Sequence, residues 1–116
     1  MIASKGLMAA TTKSMILSIL KEGKNYGYNI IQRVKKISGG SLNWSDGMLY
    51  PVLHRLEKEG FITSEWIVGD LDRKRKYYSI TEAGKAELLA EKESWITVHT
   101  ILSQLWDLNP LYNVRT

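Results

Sequence analysis

The sequence predicts a mainly α-helical domain that carries one small β-hairpin and ends in a long helix. Three observations lead there. Apolar residues recur at spacings of three and four in four separate stretches. A segment rich in β-branched and aromatic residues, folded about a polar stretch, falls between the third and fourth of them. The last helical stretch keeps a heptad stripe to near the C-terminus. At 116 residues, one compact domain is the expectation.

Residues 5–21 read as the first helix, with Met8, Thr12, Met15, Ile16, Ile19 and Leu20 at helical spacing. Glu22-Gly23-Lys24-Asn25 breaks it. A second helix is expected from about Tyr26 to Ile37, with Tyr26, Ile30, Ile31, Val34 and Ile37 on one side and Tyr28 partly in the core. Ser38-Gly39-Gly40-Ser41 then makes a turn, and no Gly-Lys-Ser/Thr follows to make it a phosphate loop. The third helix lies within 45–59, with Leu49, Val52, Leu53 and Leu56 as its inner face. Gly60 suits a left-handed cap, with Phe61 folding back on Leu56 as in a Schellman motif. Pro51 requires that this helix start late, near Gly47 or Met48, or bend.

Residues 61–68 and 75–80 form the expected hairpin. Thr81 is an N-cap with Glu82 in the first turn behind it, opening a helix over about 82–106. Leu88, Trp95, Val98, Leu102 and Leu105 follow the heptad. Helix, helix, short turn, helix, hairpin, long helix is the order of a winged helix-turn-helix followed by a dimerisation helix. The expected division is 1–80 for the winged unit with its N-terminal helix, 81–107 for the long helix and 108–116 for a tail.

Composition narrows the function. Hydrophobic residues at 44% and charged residues at 24% are those of a globular protein, and no apolar run approaches the roughly 18 residues of a membrane span. No secretory pattern opens the chain, and with no cysteine a disulfide framework and thiol chemistry are excluded. A cytoplasmic protein is expected. His54 and His99 are far apart, no acidic pair stands at ligand spacing, and no nucleophile–base arrangement is present. The chain is therefore expected to be no enzyme, without metal or cofactor. Its net charge of +4 is uneven: +5 over residues 1–60, +1 over 61–80 and −2 over 81–116. A basic front and an acidic back suit one surface facing a polyanion.

With the inner face of the third helix fixed, Gly47, Pro51, His54 and Lys58 stand opposite, flanked by Tyr50 and Arg55. Such a face is either simply solvated or a reader of base edges and phosphates, and its position second in a helix-turn-helix favours the latter. Ser45 and Met48 at its start join the candidate DNA contacts. Arg73-Lys74-Arg75-Lys76 in the wing suits phosphate or minor-groove contact, or else solubility alone, with Asp70 and Asp72 reducing the local field. Tyr26, at the start of the second helix, is a candidate phosphate contact.

The last helix has more apolar stripe than a three-helix domain covers, so it packs back on its own domain or pairs with a second copy. A dimer would set two reading helices about one turn apart on a palindromic site. Met15, Leu88, Trp95, Leu102 and Leu105 are its expected interface. Trp95, mid-stripe, is either core or, with its symmetry mate, a platform for a flat aromatic ligand.

The stretch from Asp46 to Ile62 (DGMLYPVLHRLEKEGFI), the segment from Arg75 to Gly84 (RKYYSITEAG) and Tyr26-Gly27-Tyr28 together resemble the PadR family of bacterial transcriptional regulators. The resemblance covers roughly residues 10–106 and, with a single C-terminal helix, looks like the short subfamily. It implies a dimeric winged-helix repressor on a palindromic promoter site, released by a small molecule. It also implies DNA contacts by Tyr26, Tyr50, Pro51, His54, Arg55 and Arg73 to Lys76. Glu93-Ser94-Trp95 is similar to the segment that places a stacking Trp in a lactococcal multidrug-resistance member of the family, with Met8, Thr12 and Val98 then lining the same pore. Where relatives often carry Gly or Pro before the basic cluster, this chain has Asp70-Leu71-Asp72. The other function considered is a dimeric small-molecule binder whose winged helix reads no DNA.

Overall fold

A computed structural model describes residues 5–107; the tail expected over 108–116 lies outside them. Helix α1 (Lys5–Glu22) buries Ile16, Leu17, Ile19 and Leu20. A two-residue strand β1 (Asn25–Tyr26) leads into α2 (Gly27–Ile37), which turns Ile30, Ile31 and Val34 inward. After the turn comes α3 (Asp46–Lys58), with Leu49, Leu53 and Leu56 fully buried. Strands β2 (Ile62–Val68) and β3 (Lys74–Ile80) form the wing, joined by a short 3-10 turn at Asp70–Asp72. Helix α4 (Glu82–Leu105) ends the described chain. The mainly α architecture with its long last helix is the one the sequence predicts.

Local chemistry sets the helix ends. Ser45 caps α3, its hydroxyl accepting the Met48 N–H at 3.2 Å. At the other end Gly60 takes φ +85°, the Phe61 N–H donates to the Leu56 carbonyl at 3.0 Å, and the Gly60 N–H to Glu57 at 3.0 Å. That is the expected Schellman motif, and only glycine enters its left-handed position without strain. Thr81 caps α4 by accepting the Gly84 N–H at 3.0 Å.

The seam between α3 and α4 is tight. The Thr81 N–H donates to the Phe61 carbonyl at 3.0 Å and its hydroxyl to the Gly60 carbonyl at 2.7 Å. A Cβ on Gly84 would stand 2.1 Å from the Phe61 carbonyl oxygen and 2.7 Å from Ile80 Cγ1, so no larger residue fits. Lys13 of α1 pairs with Glu87 and reaches Glu91 at 4.0 Å, tying α1 to the first half of α4.

Several expectations are corrected. The hairpin is part of a three-stranded antiparallel sheet in the order β1-β3-β2: Asn25 and Tyr26 pair with Tyr78 and Tyr77, while β2 and β3 align from Ile62↔Ile80 to Val68↔Lys74. Helix α3 starts at Asp46, so Pro51 falls in its second turn rather than its first, and the ring leaves the Gly47 carbonyl without its i+4 donor. Tyr28, expected partly in the core, is 66% exposed: the buried face of α2 is Gly27, Ile30, Ile31 and Val34, and Tyr28 stands about 100° round the helix from Gly27. Ile37 at the end of α2 is exposed as well. Leu88, assigned to an interface, is 2% exposed within the protomer's own core. Thr12, assigned to a ligand pore, is 3% exposed, and its hydroxyl donates to the Met8 carbonyl at 2.6 Å.

Candidate nucleic-acid interface

An open cleft of about 460 Å³ lies where three elements meet. The start of α2 contributes Tyr26, Gly27 and Tyr28; α3 contributes Tyr50 and His54; the wing contributes Trp66, Lys74, Arg75 and Lys76, with Tyr78 at the base. The helices meet closely because α2 begins with glycine. A Cβ on Gly27 would stand 2.3 Å from the Tyr50 hydroxyl oxygen, so the Tyr-Gly-Tyr start admits the Tyr50 ring only as it stands.

Strand pairing orients the wing cations. Residues opposite one another in a pleated pair share a face. Tyr26 and Tyr77 are paired, their rings meet edge to face at 5.2 Å, and the Arg75 guanidinium lies 4.6 Å from the Tyr26 ring centre. Lys74 and Lys76 lie on the other face, and the Lys76 ammonium is 5.7 Å from the Tyr78 ring centre. The basic side chains thus leave β3 on both faces of the wing, and all three line the cleft. Burial raises the Tyr78 phenol above its ordinary range, with Tyr50 and Glu57 adding smaller contributions in the same direction, so this ring stays neutral beneath the cleft.

Of the residues singled out in the sequence, the cleft brings together Tyr26, Tyr50, His54, Lys74, Arg75 and Lys76. Gly47, Pro51, Arg55, Lys58 and Arg73 are exposed but outside it, Met48 is half-buried, and Ser45 serves as a cap. Gly27, Tyr28 and Trp66 line the cleft as well, although helical spacing and charge do not assign them to a site. Alternation along β2 puts Trp66 on the same face as Ile62 and Ser64, but only the observed burial shows that this face has left the core by then.

The far half of α4 is a separate surface. Trp95, Ile96, Val98, Ile101, Leu105 and Trp106 are all more than half exposed. Trp95 stacks on His99 with ring centres 4.6 Å apart and planes 12° from parallel. Met8, Met15 and Leu102 are half-buried. Among the described residues no cluster of side chains could hold a metal ion, and no helix is long and apolar enough to cross a membrane.

A family model described as "Transcriptional regulator PadR-like family" matches residues 16–90. The chain is 37% identical over 91 residues to an uncharacterized protein, X, of Lysinibacillus sphaericus, covering 77% of this chain and 82% of that one. It is 32% identical over 87 residues to the negative transcriptional regulator PadR of Bacillus subtilis, covering 75% of this chain but only 46% of the relative's length. Among solved structures, a PadR-like transcriptional regulator from Bacillus cereus superposes with a TM-score of 0.78 at 30% identity, covering 90% of this chain and all of that one. The shared region takes in α2, α3, the wing and the start of α4, the elements that build the cleft and its seam. On both sequence and fold, the chain belongs to the PadR-like family of transcriptional regulators.

Proposed function

We propose that this DNA-binding regulator acts as a repressor, a homodimer on a palindromic operator in the cytoplasm, and that a small aromatic or hydrophobic ligand between the long helices relieves it. The observation that carries the DNA part is the cleft. Tyr50 and His54 on the exposed side of α3 and the cations of β3 converge on one open surface with the start of α2. A helix in the major groove reads base edges with such side chains, while flanking cations neutralise phosphates. Tyr26, Gly47, Met48, Pro51, Arg55, Lys58 and Arg73 belong to the same proposed contact surface, with Ser45 holding the helix start.

The exposed stripe of α4 supports the homodimer. Trp95, Val98 and Leu105, with the half-buried Leu102 and Met15, form the proposed interface, and a second copy is the partner that places two α3 helices about one turn apart. Trp95, flat against His99, offers a surface for a planar ligand, and Met8 and Val98 are assigned to the same proposed pore. Such a ligand acts by changing the angle between protomers, and so the spacing of the two α3 helices. Coupling of this kind is typically worth about 1–3 kcal/mol.

The test is titration against genomic duplex fragments, including the upstream region of its own gene, at about 50 and 200 mM salt. The reading requires strong preference for one palindrome that survives the higher salt. Replacing Lys74, Arg75 and Lys76 by Ala together is expected to lower the slope of log affinity against log salt by up to about 2.7, roughly 0.9 for each phosphate no longer neutralised. Weak, unselective binding erased by salt would leave the small-molecule binder as the better account. Unchanged operator affinity in the presence of every ligand that binds would overturn the release mechanism.

A further inference from the structure

Trp66 has no place in the core and none in the interface proposed for α4, yet it is an indole left 65% exposed on a strand. Its position is specific. Ile62, Ser64, Trp66 and Val68 share one face of β2, opposite Ile80, Tyr78, Lys76 and Lys74 of β3. The first pairs on that face are interior: Ile62 and Tyr78 are 1% exposed. The same face then runs out beyond the core, and the first large side chain past its edge is Trp66, directly across from Lys76 and in the cleft with His54 and Tyr50. Most of this indole is left in water, and its place is at the lining of the cleft rather than at an arbitrary point of the surface.

We propose that Trp66 is a DNA-contacting residue that acts by apolar packing: its indole lies against deoxyribose carbons and a base edge of the strand held between α3 and the wing, with Lys74 and Lys76 on the flanking phosphates. This rests on the DNA-binding reading of the cleft and adds to it a contribution of different physical kind. The lysines attract any polyanion, and their effect fades as salt displaces the counterion gradient. The indole carries no charge, so its contribution does not depend on salt. It also favours duplex of a given groove shape and thymine methyl placement over duplex in general.

The experiment compares the wild-type chain with W66A and W66F on the duplex that the wild type selects, between about 50 and 200 mM salt. W66A is expected to lose roughly tenfold in affinity at every salt concentration, as removal of one large buried apolar group does, with the salt slope unchanged. W66F retains most of the affinity because a flat apolar face remains. Adding duplex is expected to shift tryptophan emission in the wild type and to leave that component missing in W66F. Thermal melting of each variant checks that the fold is kept, and the W66F pair carries the test should W66A unfold. Wild-type affinity in W66A, or a W66F emission response identical to the wild type's, overturns the proposal. So does a W66A loss that comes with a shallower salt slope, which would make Trp66 a prop for the lysines. A wild-type chain that selects no duplex overturns the DNA reading itself, and this contact with it.

Discussion

The winged body and the far half of α4 treat apolar residues in opposite ways. From α1 to β3, the large aliphatic side chains of the helices and the inner end of the wing are mostly covered: Ile16, Leu17, Ile30, Leu49, Leu53 and Leu56 have no exposed surface. What this body shows to water around the cleft is largely polar, aromatic or cationic. Beyond Leu88, α4 reverses the pattern, leaving Trp95, Ile96, Val98, Ile101 and Leu105 more than half exposed along a helix that is otherwise well formed. The body is complete as a single chain, whereas the helix has an unpaired face. That exposed apolar stripe is the feature on which the proposed pairing with a second copy rests. Leu88 stands at the border and falls on the body's side.

Four measurements sharpen or break this contrast. The largest effect is expected at the border. Leu88→Ala removes a fully buried side chain from the core and should cost about 2–5 kcal/mol in denaturant unfolding. A loss under about 1 kcal/mol would mean that Leu88 is not part of the body's core. Next, Val98→Glu with Ile101→Glu puts two charges on the exposed stripe. Sedimentation should show the assembly shifting to monomers while circular dichroism retains the helical signal, and an unchanged assembly would remove α4 as the interface.

A smaller effect tests the body alone. Ser45→Ala deletes the α3 cap and should lower stability by about 1 kcal/mol, with assembly untouched. The smallest concerns Glu22, whose carboxyl is held below the ordinary glutamate range by the Arg33 hydrogen bond at 2.8 Å, opposed by a little desolvation and reinforced by the guanidinium charge. A lowered folded-state pKa stabilises above the unfolded value and is lost as pH falls through the folded one, so this pair weakens only in acid. Carboxyl-resolved NMR titration should show the Glu22 midpoint rising when Arg33 is replaced by Ala. The effect on stability should be slight, since both groups are exposed.

What could be read from the sequence follows the range of the interactions involved. The four helices, the cap at Thr81 and the Schellman turn at Gly60 depend on residues a few positions apart, and they stand close to where spacing puts them, although α3 begins at Asp46 behind a Ser45 cap that the sequence reading assigns to DNA contact instead. Strand β1 does not: two residues carry no periodicity, and its partner strand lies some fifty positions further on. Tyr28 is a different case: one residue past the buried Gly27, it turns off the face that Ile30, Ile31 and Val34 bury. Leu88 was misassigned because a heptad stripe looks the same whether its residues meet the chain's own core or a second copy. The site was legible where charge marked it, at Lys74 to Lys76, and where Tyr50 and His54 stood opposite a clear inner face. Trp66 was hidden because an aromatic residue in a strand reads as core until the depth of the sheet is known.

The seam at Gly84 has a mechanical meaning. With the Phe61 carbonyl at the glycine's surface and Thr81 bonded to both Gly60 and Phe61, the end of α3 and the start of α4 have no slack between them. From Gly84 to Leu105 the helix runs about 32 Å. The two helices meet like the arms of a bent crank, and the glycine's missing carbon is the bearing clearance that lets the joint be assembled at all; under the proposed release mechanism, this joint is where a tilt of the long arm would reach the short one.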